Sequence, residues 1–196
     1  AILANGEISL SDSVTVKTFD TITPKTQPIV VATVTKTGTA DGMITLSWNA
    51  AIDNNLMGYD VYRSNDGLYW SLIIDHWPGI SLIDTGLNTY NNPYYYKIQP
   101  VDSCGNVGTY THYHETMQLK AYSSNGFNEL SWNGYAGWGV KEYLVYRDGI
   151  LIDTVPNNVF ASKDTASICQ KVYQYLIKSV DSLNDTRLAS SNTDSA

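Results

Sequence analysis

Positive charge, histidine, cysteine and glutamate are all scarce in this 196-residue chain, and each scarcity closes off a class of function. Twelve Lys and Arg stand against 19 Asp and Glu, for a net charge of −7. No basic cluster is present to neutralise phosphates, so nucleic acid and anionic membrane surfaces are poor partners. No run of about 18 apolar residues exists, which leaves nothing to insert in a bilayer as a helix. The opening Ala1-Ile2-Leu3-Ala4-Asn5-Gly6 lacks the basic start and long apolar stretch of a signal peptide, so an exported parent would carry its signal upstream.

Catalytic machinery is missing in the same way. Four glutamates, with aspartates mostly in turn-like contexts, give no arguable pair of acid–base carboxylates. There is no Gly-x-Ser-x-Gly, no glycine-rich phosphate loop and no Cys–His spacing that suggests a nucleophile. Of three histidines, His76 reads as an isolated loop residue, and His112-x-His114 as an exposed pair on one strand face without a third metal ligand. The Asp53-Asn54-Asn55 and Asn65-Asp66-Gly67 stretches read as turns rather than calcium loops. The expectation is a non-enzyme with no cofactor and no metal.

What the chain does have points to strands. It holds 15 Tyr and 5 Trp but 3 Phe, with Thr, Val and Ile abundant. Aromatic and β-branched side chains suit a pleated, half-buried surface, and no segment sustains an amphipathic helical period. Short apolar runs punctuated by Asn, Asp and Gly recur along the chain, as in an all-β sandwich.

A repeat organises these runs. Ile44-Thr45-Leu46-Ser47-Trp48-Asn49 returns as Asn128-Glu129-Leu130-Ser131-Trp132-Asn133, and Tyr59-Asp60-Val61-Tyr62-Arg63 as Tyr143-Leu144-Val145-Tyr146-Arg147, both at an offset of 84 (131 − 47; 145 − 61). Tyr94-Tyr95-Tyr96-Lys97-Ile98 returns as Tyr173-Gln174-Tyr175-Leu176-Ile177 at an offset of 79 (173 − 94). A repeat of this length means two copies of one domain.

A Trp in the second strand, Tyr-x-Val-Tyr-Arg in the third, an Asp-Gly turn and a Tyr-x-Tyr-x-Ile sixth strand resemble bacterial fibronectin type III domains. The resemblance implies an all-β fold of two tandem immunoglobulin-like sandwiches over residues 26–115 and 116–196. Residues 1–25 would be the last strand of a preceding domain plus a linker. Trp48 and Trp132 are then core residues, and Tyr94 and Tyr173 tyrosine corners whose hydroxyls tie back to nearby backbone. The linker from Asp20 to Pro28 carries two prolines, Pro24 and Pro28, whereas Tyr113 to Tyr122 carries no Pro or Gly. A stiffer joint is therefore expected between the two complete domains.

The Gly134-Tyr135-Ala136-Gly137-Trp138-Gly139 loop offers two aromatics, Tyr135 and Trp138, either to the neighbouring domain or to sugar rings. Burial against first-domain turns near Asn65-Asp66-Gly67 or Asn88-Tyr90 is the expectation. Tyr69, Trp70 and Trp77 are open to the same two readings.

The chain also resembles the repeats of gliding-motility adhesins and other type IX-secreted proteins of Bacteroidetes, and this resemblance implies several things together. The function would be structural, spacer or adhesive, at the cell surface or outside the cell. The partners would be neighbouring domains of the same polypeptide and surface glycans. The alternative is an accessory or carbohydrate-binding module of a secreted polysaccharide-degrading enzyme. Asp-Ser/Thr sites followed by an aliphatic residue, as glycosylated in such proteins, occur at Ser13, Thr21, Thr154, Thr165, Ser182 and Ser195. Cys104 and Cys169 fall at opposite poles of a head-to-tail tandem, too far apart for the roughly 7 Å that a disulfide allows. Their repeat equivalents are Leu183 and Tyr90, so both cysteines are expected to pair with domains outside the chain.

Overall fold

The computed structural model describes residue 15, residues 20–168 and residues 170–196, and every regular element among them is a β-strand. The first seven are β1 (Ile29–Lys36), β2 (Gly42–Trp48), β3 (Leu56–Ser64), β4 (Ser71–Trp77), β5 (Ser81–Leu87), β6 (Tyr95–Asp102) and β7 (His114–Glu115). They form two antiparallel sheets, β1-β2-β5 and β4-β3-β6-β7. The rest are β8 (Leu119–Ser124), β9 (Phe127–Trp132), β10 (Val140–Arg147), β11 (Ile150–Pro156), β12 (Ala161–Asp164), β13 (Gln174–Asp181), β14 (Leu188–Ser190) and β15 (Asp194–Ser195). These pair as β12-β9-β8 and β11-β10-β13-β14, with β15 also on β13. The two halves share one partition of strands between facing sheets. The chain is two tandem sandwiches of the fibronectin type III kind.

Alternation builds each core. Along β2 the buried positions are Gly42, Ile44, Leu46 and Trp48, with the intervening residues half exposed. Along β9 they are Asn128, Leu130 and Trp132. Trp48 meets Tyr59 edge-on at 5.4 Å between ring centres, and Trp132 meets Tyr143 at 5.8 Å. Each such ring withdrawn from water contributes about 1.5–3 kcal/mol. Asp148 and Gly149, both at positive φ (49° and 80°), make the two-residue turn between β10 and β11. That is the geometry a tight hairpin requires of its central pair.

Both tyrosine corners are in place. The Tyr94 hydroxyl accepts from Asn88 N at 3.0 Å, and that of Tyr173 from Ile168 N at 3.3 Å.

A polar clasp, which the sequence reading did not anticipate, joins the two sheets of each sandwich. Arg63 Nη1 donates to both Asp84 oxygens at 3.1 and 2.9 Å, while Tyr96 donates to Asp84 at 2.8 Å. Arg147, Asp164 and Tyr175 repeat this at 3.0, 2.8 and 2.7 Å. Burial raises the Asp164 pKa, but hydrogen bonds from Tyr175 and Arg147 outweigh it and hold the carboxyl below its ordinary value.

Residues 1–14 and 16–19, which include the strand expected from a preceding domain and Ser13, lie outside the described residues. The linker that follows is docked onto the first sandwich. Lys25 and Ile52 exchange backbone hydrogen bonds, and Asn106 Nδ2 donates to Asp20 O at 3.0 Å.

Candidate functional site: the junction between the sandwiches

Only residues 116–118 separate β7 from β8, so the last strand of the first sandwich feeds almost directly into the second. Glu115 N donates to Ala136 O at 2.9 Å, tying the connection to the β9–β10 loop. The same bridge exists one domain earlier between Lys25 and Ile52, and Ile52 is the repeat equivalent of Ala136 (52 + 84). Each sandwich thus grips the segment entering it at the same loop position.

The residue beside that bridge differs between copies. Ala51 in the first becomes Tyr135 in the second (51 + 84), although the backbone N–H at both positions donates to a core tyrosine hydroxyl, Tyr59 or Tyr143. Tyr135 is 6% exposed. Its hydroxyl accepts from Ala32 N at 3.1 Å, on β1 of the first sandwich, and lies 2.7 Å from His114 Nδ1 on β7. With one proton and two lone pairs, the hydroxyl can meet His114 either way, donating to a bare Nδ1 or accepting from Nδ1–H according to the tautomer. The Ile29 backbone is a second hydrogen-bond partner of the imidazole. Burial, then the Arg187 charge, push the His114 pKa down to about 4, against the weaker opposing pull of Ile29. Burial also drives the Tyr135 hydroxyl pKa upward, so it stays protonated and neutral.

Trp138 completes the cluster. Its ring lies 4.3 Å from that of Tyr135 and 5.6 Å from that of His114, and Arg187 sits 5.7 Å over its face. Gly137, at φ 143°, brings loop backbone against His114, where a Cβ would come within 2.3 Å of the imidazole. That contact leaves no room for any side chain.

The docking surface extends sideways from this cluster. Val31 of β1 packs on the second core. Thr33 Oγ1 accepts from Ser190 N at 2.8 Å, and Thr37 Oγ1 from Thr193 N at 2.7 Å, so the β14 edge runs along β1. Glu115 Oε1 accepts from Tyr95 of the first sandwich and Asn133 of the second, each at 2.9 Å. Tyr90 donates to Asp194 at 3.0 Å.

Several sequence-based expectations need correction here. The polar partners of Tyr135 are on β1 and β7, not on the turns at Asn65-Asp66-Gly67 or Asn88-Tyr90, because the second sandwich docks along a strand as well as against the pole. His112 and His114 are not an exposed pair: His112 is exposed but His114 is buried, since the β9–β10 loop covers it. His76 is not in a loop but in β4, beside Asp60.

The other named positions are scattered. Thr21, Thr154, Thr165, Ser182 and Ser195 are exposed, on separate loops and strands. The aspartate before each has a structural task. Asp20 caps Ile22 N, Asp153 caps Thr154 N, Asp164 belongs to the clasp, Asp181 binds Arg187, and Asp194 accepts from Ala121 N. Cys104 is an exposed free thiol on the β6–β7 loop, two residues from Asn106, which holds the linker; Cys169 lies outside the described residues. Of the other aromatics, Trp77 donates to Ser81 O and packs on the first core, and Tyr69 is 82% exposed. Trp70 leans on Tyr113 with planes 46° apart, beside a second pair, Tyr62 and Tyr110, at 82°. Lys97 Nζ sits 4.4 Å from the Trp70 ring centre and 4.0 Å from that of Tyr110.

No described protein family's profile matches the chain. Its two-domain span is similar at 15% identity to a two-domain fibronectin type III segment of chicken tenascin, covering 88% of this chain and 97% of that one with a TM-score of 0.33. Similarity to the FN1–FN3 domains of chicken CNTN1 is 14% over 89% of this chain and 65% of that one, TM-score 0.36. Pectate lyase Pel3 from Pectobacterium carotovorum is similar at 24% identity over 41% of this chain and 26% of its own, TM-score 0.38. Among curated proteins, chitinase Chi52 of Paenibacillus xylanexedens is 30% identical over 109 residues, 55% of this chain; the chain spans 18% of that chitinase's length.

Proposed function

We propose that this chain is a non-catalytic two-domain spacer of an exported polypeptide, holding a neighbouring domain at a fixed distance and angle. The observation that carries this reading is the junction. A buried His114–Tyr135–Ala32 hydrogen-bond chain is reinforced by strand-to-strand docking of β14 on β1. Such a contact resists bending, which a spacer needs and a flexible tether does not. Aromatics that would stack on sugar if exposed are here partly or wholly withdrawn into that contact.

The parent protein has two readings. The repeat resembles stalks of large Bacteroidetes surface proteins. The 30% identity to a chitinase favours the second, an accessory module of a secreted polysaccharide-degrading enzyme. Within that second reading, sugar contact by the chain itself would fall to Trp70, Tyr110 and Tyr113. Trp70 meets Tyr113 at 46° and Tyr110 meets Tyr62 at 82°, with Lys97 against Trp70 and Tyr110, so these rings do not make the flat platform that stacking on a sugar chain requires.

Co-sedimentation with insoluble chitin, cellulose and pectin, together with a reducing-end assay, tests the spacer reading. The chain should stay in the supernatant and release no reducing ends. Retention that disappears in Trp70→Ala or Tyr113→Ala, or release of reducing ends, would overturn it.

A further inference from the structure

On the outer edge of the first sandwich, β3 and β4 carry a side-chain cluster that neither the core nor the junction uses. His76 Nδ1 lies against the Asp75 carboxylate and 3.9 Å from Asp60 Oδ1. One donor atom from each of the three residues lies within 4.8 Å of the others. Adjacent residues of a regular strand project to opposite faces, so Asp75 and His76 could not both turn toward Asp60 without a break in the pleat. The break is present. Register slips between Tyr59↔Trp77 and Val61↔Ile74, which inserts one extra residue in β4. His76 takes φ 52°, a left-handed conformation that residues other than glycine seldom adopt. Its N–H donates to Asp60 Oδ1 at 3.0 Å. Gly58 makes room, since a Cβ there would come within 2.5 Å of the His76 carbonyl oxygen.

The second sandwich does without all of this. There Tyr143, Leu144 and Val145 pair with Val155, Thr154 and Asp153 in unbroken register, and the pair keeps only the next shift, between Val145 and Tyr146, which the first copy also has between Val61 and Tyr62. Leu144 stands where the first copy has Asp60 (60 + 84), and Glu142 where it has Gly58 (58 + 84). The fold therefore needs neither the bulge nor the glycine. A bulge that the fold does not need, and that converges an imidazole and two carboxylates, is a device for aiming side chains.

We propose that Asp60, Asp75 and His76 form a binding site for a divalent transition metal of the zinc class, with water completing the coordination. An imidazole nitrogen with two carboxylate oxygens matches that class, whereas calcium takes six or more oxygens. Side-chain exposures of 14% for Asp60, 34% for His76 and 66% for Asp75 describe a sheltered inner ligand and an open outer one, so an ion can enter from solvent. Metal–ligand bonds of about 2.0–2.2 Å ask for modest side-chain rotations, with Asp75 backing away from His76 and Asp60 closing on it. The ion would pin β4, an edge strand, to β3.

The test is calorimetric titration of Zn²⁺ into the full chain with its thiols alkylated, near neutral pH, alongside NMR of the imidazole nitrogens. One ion per chain should bind, moving the His76 Nδ1 resonance and leaving those of His112 and His114 in place. His76→Ala and the exposed-edge Asp75→Asn should each weaken binding at least about tenfold. Asp75→Asn removes a ligand without touching the core, so its result does not depend on tolerance of a buried change. An absence of saturable binding at millimolar Zn²⁺ would overturn the proposal. So would binding that moves His112 instead of His76, or an affinity unchanged in Asp75→Asn.

Discussion

At the scale of single residues, Tyr135 is where the chain departs most usefully from its own repeat. The first copy has Ala51 at that position and the second has a ring whose hydroxyl serves two groups of the other domain. Tyr135→Phe keeps the ring but leaves Ala32 N and His114 Nδ1 buried without that partner. A loss of about 1–3 kcal/mol in urea unfolding is expected. The residue was legible in the sequence as an aromatic on a glycine-rich loop, but its partners were not. His114 shares a strand-like spacing with His112, and nothing in that spacing tells which of the two a distant loop will cover. His76 was misplaced for a related reason: it is the inserted residue of a bulge, and a one-residue insertion breaks the repeat that guided every other assignment.

His114 also sets a pH dependence with a definite sign. Its folded-state pKa of about 4 lies below the ordinary 6.5, so the folded chain favours the neutral ring. The unfolded chain takes up a proton first as pH falls, and the stability contributed by neutral His114 is lost between about 6.5 and 4. The whole loss amounts to about 3 kcal/mol, and below pH 4 this group costs nothing further. Unfolding midpoints across that window, compared with His114→Gln, should show the parent chain losing stability relative to the variant. Parallel curves would refute the assignment.

At the scale of elements, the strands and their order were legible because periodicity and repetition agreed. Trp48 and Trp132, Tyr59 and Tyr143, and the Asp148-Gly149 turn all fall where alternation and turn chemistry put them. The sheet-to-sheet clasp was missed, although its signal was present. Arg63, Asp84 and Tyr96 recur as Arg147, Asp164 and Tyr175 at offsets of 84, 80 and 79 (147 − 63; 164 − 84; 175 − 96). The members are far apart in sequence, and only the recurrence of all three would have linked them. Asp164→Asn exchanges a charged acceptor for a neutral one beneath Arg147 and Tyr175. The second sandwich should lose about 1.5–3 kcal/mol in thermal or urea unfolding, and an unchanged midpoint would mean the clasp contributes only geometry.

At the scale of the whole molecule, the lateral contact of β14 with β1 was not legible. The residues that make it, Thr33, Thr37, Ser190 and Thr193, are small polar groups with no pattern to separate them from any exposed strand face. If Cys104 and Cys169 serve bridges to other domains, the isolated chain should titrate two thiols per molecule under denaturing, non-reducing conditions. A Cys104–Cys169 bond would contradict the proposed tandem arrangement.

The central claim is that the junction makes one body of two sandwiches. Residual dipolar couplings from backbone amides of both domains, measured in one aligning medium, test it most directly. The account predicts that a single alignment tensor fits both sandwiches in the parent chain, and that the two tensors diverge in Tyr135→Ala. Two distinct tensors in the parent chain, the mark of sandwiches that orient independently, would contradict it.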